Sequence, residues 1–82
     1  SAYGVNVVMR TAIGVGIVGS GFISRRYLPN LLRFEHLRVV ACADRHPERA
    51  EAVAGEFGVP KACSVVELLA DPEIDLVVNL TS

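Results

Sequence analysis

The sequence predicts an α/β fold: a partial doubly wound, parallel sheet with helices packed on it, in the order β-α-β-α-β-α-β. Three observations carry this. Short apolar, β-branched runs alternate with segments of helical spacing. The strand runs are too apolar to face water on either side, as the strands of a buried parallel sheet are. No low-complexity stretch or internal repeat interrupts the alternation. In a doubly wound arrangement the strand order is 3-2-1-4, and right-handed crossovers put the first two helices on one face.

Each element has its own reason. Ala12 to Val18 carries no charge and runs into Gly19-Ser20-Gly21, so it reads as a buried strand. Phe22 to Phe34 places Ile23, Tyr27, Leu28, Leu31 and Leu32 at helical spacing. Pro29 removes a backbone donor inside that helix, so a kink or early unwinding is expected there. Arg38 to Ala43 is a second buried strand. Pro47 suits a first helical position, and Ala50, Val53, Ala54 and Phe57 follow on one face until Gly58 stops the helix. Lys61 to Cys63 fits a short third strand. Ser64 and Glu67 form a capping box for a helix that Asp71-Pro72 ends, and Ile74 to Leu80 is the last strand.

Composition narrows the functions. The chain has 82 residues, 51% hydrophobic and 21% charged, which makes one small globular domain. A cleft flanked by two domains does not fit this length. A net charge of −1 offers no basic field for nucleic acid and no polybasic patch for a membrane. The apolar runs, such as Val39 to Ala43, are too short to span a bilayer. Cys42 and Cys63 lack CxxC spacing and a histidine pair, so they read as small buried hydrophobes in a reducing, cytoplasmic setting rather than as metal ligands. The only methionine is Met9, so Ser1 to Val8 is set aside as a tag or lead.

The chemistry lies in Gly19-Ser20-Gly21-Phe22-Ile23-Ser24, which follows a strand and opens a helix. Gly19 permits a tight turn. Gly21 has no Cβ, so a pyrophosphate can approach the free N–H groups at the helix N-terminus. Ser24 takes the third position, where a small residue lets helix and strand pack closely. Asp44 follows 20 residues later at the end of the second strand, where a carboxylate accepts hydrogen bonds from both hydroxyls of an adenosine ribose. That charge repels a 2′-phosphate and favours NAD, whereas the neighbouring Arg45 can stack on adenine or pair with the phosphate of NADP. An S-adenosylmethionine site also uses a glycine turn, but usually with an acid at the end of the first strand, and Val15 to Val18 has none.

VGIVGSGFIS, VVACADRHPERAEAVAGEFGV and SVVELLADPEIDLVVNLTS together resemble the glucose–fructose oxidoreductase, inositol dehydrogenase and rhizopine-catabolism (Gfo/Idh/MocA) family over Ile13 to Ser82. The resemblance implies the N-terminal part of an NAD(P)-binding Rossmann domain over residues 9–82. It implies that Gly19, Ser20, Gly21, Phe22 and Ile23 meet the cofactor pyrophosphate, that Asp44 and Arg45 meet the adenosine, and that Leu80 and Thr81 lie by the nicotinamide. Ser82 stands where the family usually has proline. The family's Glu-Lys-Pro segment and its β-sheet substrate domain have no counterpart in these 82 residues.

The parent of such a chain would transfer hydride to or from a sugar or polyol hydroxyl carbon. That step needs a positioned acid–base group. The only lysine is Lys61, and His36 and His46 fall in connections, so the chain is expected to bind without turning over. The competing readings are a non-catalytic association module and an S-adenosylmethionine domain. The Ile74 to Leu80 edge and the sheet face covered only by the short third helix are expected to drive self-association.

Overall fold

The structure, a computed structural model, describes Gly4 and residues 12–81, apart from the side chains of Phe22 and Ile23. The rest of the proposed lead segment and Ser82 lie outside the described residues. Seven elements follow in the expected alternation: β1 (Ile13–Val18), α1 (Phe22–Leu31), β2 (Leu37–Ala43), α2 (Pro47–Phe57), β3 (Lys61–Cys63), α3 (Val65–Leu69) and β4 (Leu76–Asn79). The four strands are parallel in the order β3-β2-β1-β4.

The sheet has two unequal sides. Val15, Ile17, Val39 and Cys42 pack under Leu28 of α1 and Ala50, Val53 and Ala54 of α2. On the other side Val18, Val40, Ala41 and Ala43 gather around Leu68 of α3. Val39 and Cys42 share a side although only two residues separate them, which strict alternation forbids. The cause is one extra residue in β2: Val15 pairs with Val39 but Gly16 with Ala41, leaving Val40 unpaired. This β-bulge turns the rest of the strand over relative to its start.

Two glycines of β1 let the α3 side close up. A Cβ on Gly16 would sit 2.8 Å from Leu68 Cδ2 and 2.9 Å from Ile74 Cδ1. A Cβ on Gly14 would sit 1.8 Å from the backbone oxygen of Glu73. Gly14 is clamped there twice: its N–H donates to Asp75 Oδ2 at 2.8 Å, and its carbonyl accepts from the Asp75 N–H at 2.8 Å.

Several expected boundaries move inward. α1 runs on through Pro29, with Leu32 donating to the Leu28 carbonyl. It ends at Leu31, not Phe34, because the chain then tightens, Arg33 and Phe34 donating three residues back to Asn30 and Leu31. β4 is Leu76–Asn79, not Ile74 to Leu80, because Ile74 belongs to a turn closed on the Asp71 carbonyl. α3 spans Val65–Leu69 with Ser64 as its cap, and both bonds of the capping box are present. Gly58 closes α2 at φ 69°, a left-handed conformation that favours glycine. Burial on both sheet faces holds for β1 and most of β2 only. At the β4 edge Leu76 remains 47% exposed and Val77 38%.

Candidate functional site

The C-terminal ends of β1, β2 and β4 converge on one crevice of about 450 Å³, lined by Val18, Gly19, Ser20, Gly21, Asp44, Arg45, Arg49, Val65, Leu80 and Thr81. It opens where the strand order reverses between β1 and its two neighbours, the place where open α/β sheets bind ligands. Backbone bonds tie its floor together: Gly19 N–H donates to the Ala43 carbonyl and Leu80 N–H to the Val18 carbonyl, each at 2.8 Å.

The glycine turn has two glycines of different kinds. Gly19 has φ 104°, and a Cβ there would crowd Leu80 C at 3.1 Å and Thr81 N at 3.2 Å, so the fold itself demands glycine. Gly21 is the N-cap of α1 with ordinary extended angles, φ −87° and ψ −165°, and a Cβ on it would meet nothing within 4 Å. Among the described residues nothing crowds that position. What its bareness leaves is room over the N-terminus of a ten-residue helix with no acidic residue in its first turn. Ser24, 1% exposed, fits the crowded third position because its hydroxyl donates to the Gly21 carbonyl at 2.7 Å.

Asp44 links the glycine turn to the start of α2. Its Oδ2 accepts from the Ser20 N–H at 2.9 Å and its Oδ1 from the His46 N–H at 2.8 Å. Burial opposes its charge, but these N–H groups and the nearby charges of His46 and Arg49 hold the carboxyl below its ordinary range. Each carboxylate oxygen keeps a free lone-pair direction for a further donor. Ser20 is 4% exposed, and among the described residues its hydroxyl has no hydrogen-bond partner. At the β4 exit, Asn79 Oδ1 accepts from the Thr81 N–H at 3.0 Å and from the Thr81 hydroxyl at 2.6 Å, which fixes the turn.

The expected residues Gly19, Ser20, Gly21, Asp44, Arg45, Leu80 and Thr81 therefore meet in one crevice. Phe22 and Ile23 open α1 beside it, with side chains outside the described part. The sequence reading missed Arg49 and Val65. Both stand in the first turn of the helix that follows a strand end, and that position was the available signal. Lys61 lies elsewhere, bonded to Asp71 at 2.8 Å and Glu73 at 3.1 Å. Among the described residues no group of three or more His, Cys, Asp or Glu could hold a metal ion. Cys42 is buried, which together with the charge of Cys63 pushes its thiol up to about 11.

A dinucleotide fits these features: an open position over Gly21, a fixed carboxylate at the end of β2, and an orphaned hydroxyl between them. Comparison with known proteins agrees. The profile of the "Oxidoreductase family, NAD-binding Rossmann fold" matches residues 13–82. An uncharacterized oxidoreductase of Rhizobium meliloti is 44% identical over 64 residues, which is 76% of this chain and 19% of that protein. The dTDP-3,4-didehydro-2,6-dideoxy-alpha-D-glucose 3-reductase of Saccharopolyspora spinosa is 36% identical over 70 residues, 84% of this chain and 21% of that protein. A 3-ketoreductase from Actinomadura kijaniata, solved with NADP, superposes with TM-score 0.73 at 33% identity, covering 80% of this chain and 21% of that one. The chain thus spans about a fifth of the length of each of these proteins. It belongs to the Gfo/Idh/MocA oxidoreductase family and corresponds to the NAD(P)-binding Rossmann portion of its members.

Proposed function

We propose that this crevice holds a nicotinamide dinucleotide with the pyrophosphate over Gly21 and the adenosine ribose at Asp44, as the nucleotide-binding part of an oxidoreductase acting on a sugar or polyol hydroxyl carbon. The open space at Gly21 carries the reading, since among the described residues nothing fills the place a side chain would take there. In this reading the backbone N–H groups of Gly21, Phe22 and Ile23 face the phosphates, Asp44 accepts from the ribose, and Arg45 borders the adenine. Leu80 and Thr81 flank the nicotinamide end. The dinucleotide, when bound, supplies the hydride acceptor or donor. Reductases of a sugar nucleotide and of a ketone among the relatives support that substrate class.

Lys61 is held by Asp71 and then Glu73, bonds that raise it above its ordinary value, so it is not a free acid–base group. The chain by itself therefore binds and does not turn over. Calorimetric titration with NAD, NADP and S-adenosylmethionine tests the assignment. Heat from S-adenosylmethionine alone would overturn it.

Cofactor choice rests on a balance between Asp44 and two arginines. Asp44→Ala removes the ribose acceptor and the charge that repels a 2′-phosphate, while Arg45 and Arg49 remain. The expected result is a shift of about tenfold in the NADP-to-NAD affinity ratio, equivalent to roughly 1.4 kcal/mol. Adding Arg49→Ala should cancel most of that shift. An unchanged ratio in the single variant would remove Asp44 from the ribose site.

We also propose that the chain pairs with a second copy through the outer edge of β4. Among the described residues that edge has no strand partner, and Leu76–Asn79 holds neither proline nor lysine to deter pairing. Val66 and Leu69 of α3, 77% and 64% exposed, extend the apolar surface nearby. Light scattering at micromolar concentration should return a dimer mass, and Val77→Lys should restore the monomer. A sharp mass near 8.8 kDa for the unaltered chain would end the idea. Two free cysteines support a reducing, cytoplasmic setting. Among the described residues no helix is long and apolar enough to cross a membrane.

A further inference from the structure

The amide of Asn79 fixes the hydrogen-bond polarity of a hydroxyl in the crevice. Thr81 meets the Asn79 side chain twice, through its N–H at 3.0 Å and its Oγ1 at 2.6 Å. A backbone N–H can only donate, so the atom it faces is the amide oxygen and not the amide nitrogen. That oxygen carries no proton, so the Thr81 hydroxyl must give its own to the same atom. A hydroxyl has one proton and two lone pairs. With the proton committed, Thr81 offers only lone pairs to the crevice it lines. The backbone holds the partner in place: Asn79 pairs with Val18 across β1 and β4, and the next N–H, of Leu80, donates to the Val18 carbonyl at 2.8 Å. Asn79 is not among the described residues that line the crevice, so it acts on a ligand through Thr81.

We infer that Asn79 is a positioning residue that makes Thr81 Oγ1 an obligate acceptor, and that this acceptor selects a carboxamide over a carboxylate at the nicotinamide end of the dinucleotide. The inference rests on the dinucleotide reading above. A carboxamide brings N–H donors to the lone pairs of Thr81. A carboxylate in the same place brings only lone pairs of its own and a negative charge. An unrestrained threonine would not tell the two apart, because its hydroxyl can turn to accept from one and donate to the other. Committing the proton to Asn79 removes the second option. Rejection of the wrong group is thus built into the site alongside attraction of the right one.

The test measures affinities for NAD, for deamido-NAD (the same dinucleotide with a carboxylate in place of the carboxamide) and for ADP-ribose. Calorimetry is run on the full 82-residue chain and on Asn79→Leu, Asn79→Asp and Thr81→Val. The unaltered chain is expected to bind NAD at least about tenfold more tightly than deamido-NAD. Asn79→Leu frees the Thr81 hydroxyl to donate, so the ratio falls to about one, chiefly because deamido-NAD binds more tightly. Asn79→Asp keeps an acceptor for both Thr81 groups and keeps the ratio. Thr81→Val keeps the shape without the lone pairs and loses the ratio. ADP-ribose has neither group, and its affinity stays the same throughout. A turn that merely loosened would weaken NAD and deamido-NAD together and leave their ratio unchanged. Equal affinity for NAD and deamido-NAD in the unaltered chain overturns the inference. So does an unchanged ratio in Asn79→Leu, or a ratio that Asn79→Asp loses as fully as Asn79→Leu. An unaltered chain that binds neither NAD nor ADP-ribose overturns the dinucleotide reading itself, and the role of Asn79 with it.

Discussion

Replacing Gly21 with valine is expected to abolish dinucleotide binding while leaving the protein folded. The two halves of that result have separate causes. Gly21 has angles that any residue can adopt, and a Cβ there meets nothing within 4 Å, so a side chain adds no internal clash. Replacing glycine also removes freedom from the unfolded chain, which roughly offsets the poorer capping of α1 by valine. The melting temperature should stay within a few degrees. The isopropyl group would occupy the space through which a phosphate reaches the free N–H groups of the first turn. Losing two charge-assisted hydrogen bonds at ~1.5–3 kcal/mol each weakens binding by at least about 100-fold. Titration with NAD and a thermal melt on the same sample check both halves. Equal NAD affinity in the variant would move the site elsewhere.

The second large effect falls on stability. Gly14→Ala would place a methyl 1.8 Å from the Glu73 carbonyl oxygen and 3.0 Å from its carbon. These are backbone atoms, so relief requires the whole Glu73–Asp75 turn to withdraw by more than an ångström. Withdrawal breaks both bonds between Gly14 and Asp75 and lifts the start of β4 from β1, where Val15 pairs with Leu76. A loss of roughly 3 kcal/mol or more is expected, against a total of about 4–12 for a domain of this size. The melting temperature should drop by more than ~12 °C. Gly16→Ala should cost less, because the atoms it crowds are the ends of Leu68 and Ile74, which can swing aside. Gly55→Ala, in the open interior of α2, should stabilise by ~0.5–1 kcal/mol. A Gly14→Ala melt matching the parent would refute the close approach of the two backbones.

These glycines mark where the sequence could be read and where it could not. Gly19 and Gly21 belong to a local pattern, with the strand before and the helix after both visible in the periodicity. Gly14 and Gly16 also precede a helix, but their need for bareness comes from Glu73, Leu68 and Ile74, more than fifty residues away. No spacing within the first strand announces that. Pro29 suggested a kink or unwinding where the helix in fact runs on to Leu31, and the length of β4 depends on which backbone groups β1 offers it. The Ser64–Glu67 box was legible because every partner lies within four residues. Asp44 was legible as a carboxylate at a strand end. Its bonds to Ser20 and His46, and the approach of Arg49, required the chain to fold.

The extra residue in β2 has a consequence for where Asp44 stands. Side chains along a strand obey an odd–even rule, so the direction in which the last residue points is a matter of counting from the first paired one. Val39 faces α1 and α2, and with regular pairing Cys42 would face α3 and Ala43 would return to the first side. One uncounted residue, Val40, inverts that parity: Cys42 turns beneath α2, Ala43 stands level with Val18, and the next carboxylate arrives level with the Ser20 N–H. Were Val40 instead to pair with Gly16, every later residue would slip by one and Asp44 would move one position along and onto the opposite face. The place of Asp44 beside the glycine turn is thus set partly by arithmetic: the count of residues from Leu37 to Asp44 exceeds by one the count along the strand beside it.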